Sequence, residues 1–328
     1  MIQTIHIYKG TGFDPHINLA TEKLLLDNVA PGACILYLWQ NQNTVVIGKN
    51  QNAWAECRTS LLEQEGGKLA RRLSGGGAVF HDVGNLNFTF LMCKEDYDLD
   101  KQIEVIRQAC ALAGIQVEKS GRNDLLAEGR KFSGNAFYQD RLHAYHHGTL
   151  MVDVDRDKLG RYLSPPKAKL EAKGVASVRS RVVNLKELCP DLTIATMEAY
   201  MEEAFRQVYN RPLSPLALTQ QDQAQIARLA EEYSSWEYLY GSPLAFTFQC
   251  DARFPWGHIQ LQLDAKGGTV TDAKVYSDAM DWSMPEALGQ AFIGCRFDTA
   301  ALQKAVASAQ LPEEISKDVQ ALLAQQVL

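Results

Sequence analysis

Apolar and polar positions alternate from the start of the chain, and the period of that alternation changes several times before residue 155. In MIQTIHIYKG the period is two, which predicts a strand over Thr4 to Tyr8. DPHINLATEKLLLDN then takes up helical spacing: Asp14-Pro15 is a start signal, and Ile17, Ala20 and Leu24 share one face of an amphipathic helix. CILYLW and NTVVIG predict two strands joined by a polar turn. KLARRL predicts a further strand, SGGG a loop, and AVFH and NLNFTFLM two more strands, with Phe88 and Phe90 on one face. LDKQIEVIRQACALAGI is helical in its spacing of Ile103, Ile106, Cys110 and Ala113, and Gly114 supplies the stop. NDLLAEGRKFSGNAFYQDRLHAYHHGTLMVDV carries turn signals at Glu128-Gly129 and Gln139-Asp140 and predicts an antiparallel meander.

From Asp155 the character changes. DRDKLGRYL predicts a short helix, and SPPKAKLEAKGVASVRSR, residues 164 to 181, is a basic loop with Lys167, Lys169, Lys173, Arg179 and Arg181 and no apolar face for permanent packing. It is expected to be mobile and either to close as a lid over a bound anion or to remain a solvated basic loop that attracts an acidic partner surface. Helices are predicted for TIATMEAYMEEAFRQVYN and LTQQDQAQIARLAEEY. After Gly241-Ser242-Pro243 the pattern restarts with AFTFQCDARF and the hairpin HIQLQLDAKGGTVTDAKVY, turning at Gly267-Gly268, and helices follow to the end. These shifts put a boundary near residue 245, giving domains 1–245 and 246–328. The expected class is α/β of the α+β kind: a large domain with mixed, largely antiparallel sheets flanked by helices, plus a small α/β C-terminal domain.

Composition narrows the function classes. The chain has 328 residues, 46% hydrophobic and 22% charged, enough for one large core and a smaller one. A formal charge of −6 argues against nucleic acid as a partner, and the lack of a leader-like segment or a spanning apolar run predicts a cytoplasmic protein with no membrane partner. Seven scattered cysteines with no CxxC pair predict buried free thiols rather than a disulfide framework or zinc ribbon.

The chemistry concentrates in RRLSGGGAVFHDVGNLNFTF, residues 71 to 90. Consecutive glycines let backbone N–H groups converge on an anion, and two adjacent guanidiniums suit a phosphate or a carboxylate. The loop is not a Walker loop, lacking GK[ST], and it leads into a strand rather than the helix of a dinucleotide motif. His81-Asp82 and His146-His147 do not make a chelating zinc cluster, since neighbours on a strand point to opposite faces and each pair offers one histidine to a common site. Lys131, in the strand RKFSGNAF, is costly on a covered face unless an anion binds there, and solvent exposure is the alternative. Asn123-Asp124 reads as a turn pair or as an acidic group for Mg²⁺ or an incoming amine.

In order along the chain, RRLSGGGAVFHDVGNLNFTF, SGRNDLLAEGRKFSGNAF and HHGTL resemble the lipoate-protein ligase family of the biotin/lipoate ligase superfamily. The WEY segment at 236 to 238, followed by a small terminal domain as in the bacterial type, extends the likeness over essentially the whole chain. The resemblance implies an ATP-dependent, AMP-forming enzyme with a ligase-type catalytic domain over 1–245 and an accessory domain over 246–328. Such an enzyme activates lipoate to lipoyl-AMP with release of pyrophosphate, then acylates one lysine of an apo-lipoyl domain. It implies, as acceptors, the acyltransferase subunits of 2-oxoacid dehydrogenases and the glycine cleavage H protein, and a monomer as the working form.

Carried over by position, the resemblance makes Lys131 the central catalytic residue, bridging the α-phosphate and the lipoyl carboxylate. It places Arg72, Gly77, Ala78, Val79, Phe80, Asn85, Asn123, Asp124, Lys131, Ala136 and His147 about ATP and the adenylate. Ser74, Gly75, Gly76, His81 and Lys131 are placed about lipoate, and Asp124 at Mg²⁺. By the same reading, acyl chain and nucleotide phosphate lie against the triglycine loop. Biotin is disfavoured because the GRGRxG-type loop is absent. Two alternatives stand beside the ligase: an ATP-independent lipoyl or octanoyl transferase between carrier proteins, and a non-catalytic acyl-binding homologue. A thiol-dependent transferase is disfavoured because no cysteine occurs between Cys110 and Cys189.

Overall fold

The computed structural model describes residues 1–121, 123–163, 182–241 and 246–326. The basic segment 164–181, the expected lid, lies outside the described residues. The chain divides into two compact units: Met1–Val46 with Glu56–Arg71 and Val79–Leu239, and Ile47–Ala55 with Arg72–Ala78 and Tyr240–Leu328.

The larger unit is built on an eight-stranded sheet. Its strands are β1 (Thr4–Lys9), β2 (Ala33–Trp39), β6 (Asn85–Cys93), β7 (Glu118–Ser120), β8 (Asp124–Ala127), β9 (Arg130–Gln139), β10 (His143–Met151) and β11 (Leu213–Pro215). They are ordered β11-β1-β2-β6-β10-β9-β8-β7. The β11, β1 and β2 pairs are parallel and the rest antiparallel, so β7 to β10 form the expected meander and β10 closes onto β6. Glu128 and Gly129 both have positive φ, 49° and 71°, at the β8–β9 turn. The second turn is held by the Asp140 side chain, which accepts from the N–H groups of Leu142 and His143. A second sheet, ordered β4-β3-β5, consists of β3 (Thr44–Ile47), β4 (Lys68–Arg71) and β5 (Val79–His81). CILYLW and NTVVIG are therefore neighbours in sequence but belong to different sheets.

Helices cover both faces of the large sheet. On one face Phe88, Phe90, Leu36 and Leu38 pack with Ile103 and Ile106 of the helix Leu99–Leu112 and with Met197, Met201 and Phe205 of the helix Ile194–Tyr209. On the other, Ile35, Tyr37, Leu91 and Tyr145 pack with Leu24 and Leu25 of the helix Pro15–Asn28 and with Ile226 and Tyr233 of the helix Gln220–Ser234. Every residue of β2 and β6 is consequently buried. In the first helix Ala20 and Leu24 are buried as expected, whereas Ile17 is 41% exposed, and Asn18, Leu19 and Glu22 are buried as well because this helix is covered on more than one side.

The smaller unit has its own core around the meander β12 (Phe248–Phe254), β13 (Gly257–Lys266) and β14 (Thr269–Ser277), with Leu288, Phe292, Leu302, Val319 and Leu323 from three following helices. Gly267 and Gly268, both at positive φ, make its hairpin turn as expected. No helix among the described residues is long and apolar enough to cross a membrane.

Candidate active site

Strand β6 alternates Asn85, Asn87 and Thr89 with Leu86, Phe88 and Phe90. The apolar set joins the core, and the polar set is buried just as completely. Trp39 Nε1 donates to Thr89 Oγ1 (3.1 Å), and Thr89 donates to Glu22 Oε1 (2.7 Å). That carboxylate oxygen also lies 2.8 Å from His147 Nδ1. A buried carboxylate is tolerable only when so supplied with donors. Asn85 Nδ2 donates to Asn87 Oδ1 at 2.9 Å.

Two strands further along the same face stands Lys131, brought there by a local irregularity. Asp124 pairs with Gly134 and Leu125 with Ser133, but Leu126 pairs with Lys131, so Phe132 is an extra residue in β9. Such a bulge reverses the alternation. Phe132 and Ser133 go into the protein, both fully buried, while Lys131 comes onto the face of Gly134 and Asp124. Its Nζ lies 2.7 Å from Asp124 Oδ1, with both side chains about one-third exposed at 35% and 37%. A Cβ on Gly134 would sit 3.1 Å from Nζ, and the Gly134 N–H donates to Thr149 Oγ1. The Lys131 backbone is fixed as well, since the Val183 N–H donates to its carbonyl at 2.9 Å. Lys131 is thus neither buried without a partner nor free in solvent. Asp124 is a strand residue and not part of a turn, and Asn123 clasps β9 by donating to the Asn135 carbonyl while accepting from the Asn135 N–H.

The two histidine pairs resolve as the strand geometry requires. His146 is fully buried on the core face, its Nε2 2.7 Å from Asn135 Oδ1 and its Nδ1 3.1 Å from Gln102 Oε1. Burial pushes its pKa down to about 3, so the ring is neutral. It is a satisfied core histidine. His147 faces the opposite way, toward Glu22, and Ala136 is paired with it in register. His81, paired with Thr44 in the small sheet, sits at the end of a relay: Asn18 Nδ2 donates to Asn41 Oδ1, which leaves Asn41 Nδ2 to donate to His81 Nδ1. That relay assigns the ring proton to Nε2. Asp82 is structural, accepting from the N–H groups of Gly84 and Asp155. Phe80 is buried and packs its ring against Tyr162, and it pairs with Val45 in the small sheet as half-buried Val79 pairs with Val46.

In the smaller unit, the triglycine loop is held from within. Arg72 is buried, and its Nη2 donates to the carbonyls of Gly75 (2.7 Å) and Gly77 (2.8 Å), while Nε donates to Ser74 Oγ (3.1 Å). Ser74, fully buried, accepts from the Lys49 N–H through its carbonyl. The three glycines have three different reasons. A Cβ on Gly75 would lie 2.3 Å from the Ala279 carbonyl oxygen, Gly76 has φ of +90°, and only Gly77, which is exposed, has open space where a side chain would go. Two of the three are therefore explained by the protein's own backbone, and Gly77 with half-buried Ala78 is where a ligand can approach. In the larger unit Arg71 donates to the Tyr238 carbonyl at 2.9 Å and to that of Leu239, which ties down the WEY segment. Both guanidiniums that the sequence offered to an anion therefore make backbone contacts.

Residues 14–206 match the lipoyl protein ligase A/B catalytic domain and residues 243–325 the bacterial lipoate protein ligase C-terminus. The chain belongs to the lipoate-protein ligase family. A lipoate-protein ligase A from Bdellovibrio bacteriovorus is 40% identical over 314 residues, spanning 94% of this chain and 93% of that protein. Among solved structures, P. falciparum LipL1 in complex with lipoate aligns over 99% of this chain and all of its own, with a TM-score of 0.85 at 23% identity. A bipartite ligase from Thermoplasma acidophilum, studied with its E2 lipoyl domain, aligns over 76% of this chain and all of its own, with a TM-score of 0.66 at 24% identity. A lipoate-protein ligase A bound with ATP covers 74% of this chain and 99% of its own, with a TM-score of 0.64 at 23% identity. At these identities the structures share the fold.

The residues grouped around this face that the sequence reading did not single out are Glu22, Trp39, Asn87, Thr89, Gly134 and Thr149. Glu22 lies in a run that reads as helix, where a lone carboxylate normally faces water. Asn87 and Thr89 carried a signal, since they are polar positions opposite Phe88 and Phe90, but alternation alone does not say that both faces are covered.

Proposed function

We propose that the protein is an ATP-dependent lipoate-protein ligase that forms lipoyl-AMP and then acylates a lysine of apo-lipoyl domains. The observation that carries this reading is the bulge at Phe132, which sets Lys131 beside Asp124 with glycine at 134 leaving the ammonium accessible. In the first step a lipoate carboxylate oxygen attacks the α-phosphorus and pyrophosphate departs. Lys131 balances the negative charge on both reacting groups as it builds. In the second the acceptor amine attacks the acyl carbon of the anhydride, AMP leaves, and the same ammonium stabilises the oxyanion. Asp124 positions Lys131 and receives the incoming amine. Gly77 and Ala78 supply backbone amides to the nucleotide, with Arg72 and Ser74 keeping the loop open, while Val79 and Phe80 add backbone groups. His81, Asn85, Ala136 and His147 border the substrates, and Asn123 holds β8 to β9. Asp124 would hold a Mg²⁺ ion through its carboxylate, and the ion would supply neutralisation of phosphate charge when bound.

Four of the seven thiols are poorly suited to the nucleophile role of an acyl-enzyme transferase. Burial pushes Cys34, Cys57 and Cys110 up to about 12 and Cys250 up to about 11, so these are inert as nucleophiles at neutral pH. We further assign residues 1–245 to catalysis and 246–328 to an accessory domain, in a cytoplasmic monomer whose acceptors are 2-oxoacid dehydrogenase acyltransferase subunits and the glycine cleavage H protein. Purified protein incubated with lipoate, Mg·ATP and each apo-lipoyl domain should add the mass of a lipoyl group to the acceptor and require ATP. Acylation without ATP would reject the ligase.

A further inference from the structure

We infer that Asn87 reads the sulfur-bearing end of the acyl substrate and makes the site prefer a dithiolane-terminated acid to a plain eight-carbon acid. The inference rests on the ligase reading above and adds a specificity residue to it. Asn87 is 1% exposed; its Oδ1 is committed to Asn85, and its Nδ2 is buried with no hydrogen-bond partner among the described residues. Buried amide donors are ordinarily paired, so one left over on the polar face of a central strand calls for an acceptor.

Register places that donor at the right distance from the lysine. Asn87 pairs with Trp39 on one side and Thr149 on the other, and the Gly134 N–H next to Lys131 reaches Thr149 Oγ1. With strands about 4.8 Å apart, Asn87 and Gly134 are separated by roughly 10 Å across β10. An extended eight-carbon chain spans about 9 Å, from C–C bonds of ~1.5 Å. An acid whose carboxylate meets Lys131 and whose chain lies across β10 therefore ends at Asn87. Divalent sulfur accepts from an amide N–H, weakly, and a methylene or methyl group does not accept at all. Discrimination then comes chiefly from the penalty against octanoate, which would leave the donor buried and unmatched.

The test is kcat/KM for acid-dependent pyrophosphate release at saturating ATP, measured with lipoate and with octanoate. Asn87→Leu, of similar volume, should lower the lipoate-to-octanoate ratio by about tenfold, chiefly through improved octanoate activity, because no donor is then left unmatched beneath a plain chain. Octanoate turnover then certifies that the variant is folded. Asn87→Ala should also lose lipoate preference; because it enlarges the space, a site governed by size alone would gain it, and that gain would overturn the inference. Equal losses on both acids, or an unmoved ratio, would overturn it too. Wild-type protein that activates neither acid would instead reject the ligase reading itself, and this inference with it.

Discussion

His146 and His147 are adjacent in the chain and occupy opposite faces of one strand, and the two faces are built to different ends. On the His146 side, Phe88, Phe90 and Phe132 fill the core, and the imidazole is locked between Asn135 and Gln102. On the His147 side, Glu22, Thr89 and Trp39 form a hydrogen-bonded chain, Asn87 keeps an unmatched donor, and Lys131 and Asp124 keep about a third of their surface in solvent. The first face is a polar group made harmless by saturation. The second holds polar groups that the fold leaves unsaturated or accessible, where a charged substrate has something to gain. Completeness of pairing, rather than burial, separates core from site.

The contrast is broken most severely at Lys131. Lys131→Ala should lower adenylate formation by about 10³-fold, with thermal stability nearly unchanged because a one-third-exposed side chain contributes little to folding. Lys131→Arg should also be severely impaired, since a planar fork does not replace a compact ammonium. Near-normal pyrophosphate release by the alanine variant would contradict the role.

Deleting Phe132 tests the bulge itself: without the extra residue Lys131 stands two positions from Gly134, the spacing at which regular pairing keeps both on one face, so the lysine should stay beside Asp124. Activity should stay well above that of Lys131→Ala, while about 3–5 kcal/mol of stability is lost with the missing buried ring; activity as low as that of Lys131→Ala would show that the extra residue itself sets the face of the lysine. Phe132→Leu, which keeps the extra residue, should retain activity at a smaller stability cost. Denaturant melts and pyrophosphate assays on the pair read both effects.

On the core face the expectation inverts. His146→Gln should lower stability by about 1–3 kcal/mol and leave kcat close to wild type. Its pH dependence has a definite sign. With the folded pKa at about 3 and the ordinary value at 6.5, the unfolded chain takes up a proton that the folded protein refuses. Stability from this group is therefore complete above pH 6.5 and declines as pH falls through the window from 6.5 to 3, by at most about 1.4 kcal/mol per unit. The variant should lose that component of the slope.

The smallest effects distinguish the glycines of the loop. Gly75→Ala meets the Ala279 carbonyl and should destabilise the protein, whereas Gly77→Ala has open space and should melt as wild type does. Any rise in the KM for ATP or lipoate caused by Gly77→Ala, about severalfold for a Cβ at a contact, then reports on a ligand approaching there. No rise in either would remove Gly77 from the site.

Much of this protein is determined by sequence alone. The periods of two and 3.6, the turns at Glu128-Gly129 and Gly267-Gly268, and the motifs about Gly75 and Lys131 are local, and local preference is what a sequence displays directly. The opposed histidines follow from strand geometry in the same way. Tertiary structure decided the rest. Alternation in NLNFTF says that two faces differ, but not that helices cover both and so turn Asn87 and Thr89 into buried groups. Nothing in RKFSGNAF announces that one residue is extra, because a bulge is a relation between β9 and the register of β8, and it is this relation that selects the face on which Lys131 lies. Gly75 looks like a ligand-binding glycine until a carbonyl two hundred residues later occupies the space of its Cβ. Glu22 looks like a surface carboxylate until His147 and Thr89 surround it. In each case the deciding atom comes from a distant part of the chain, and period and propensity carry no information about it.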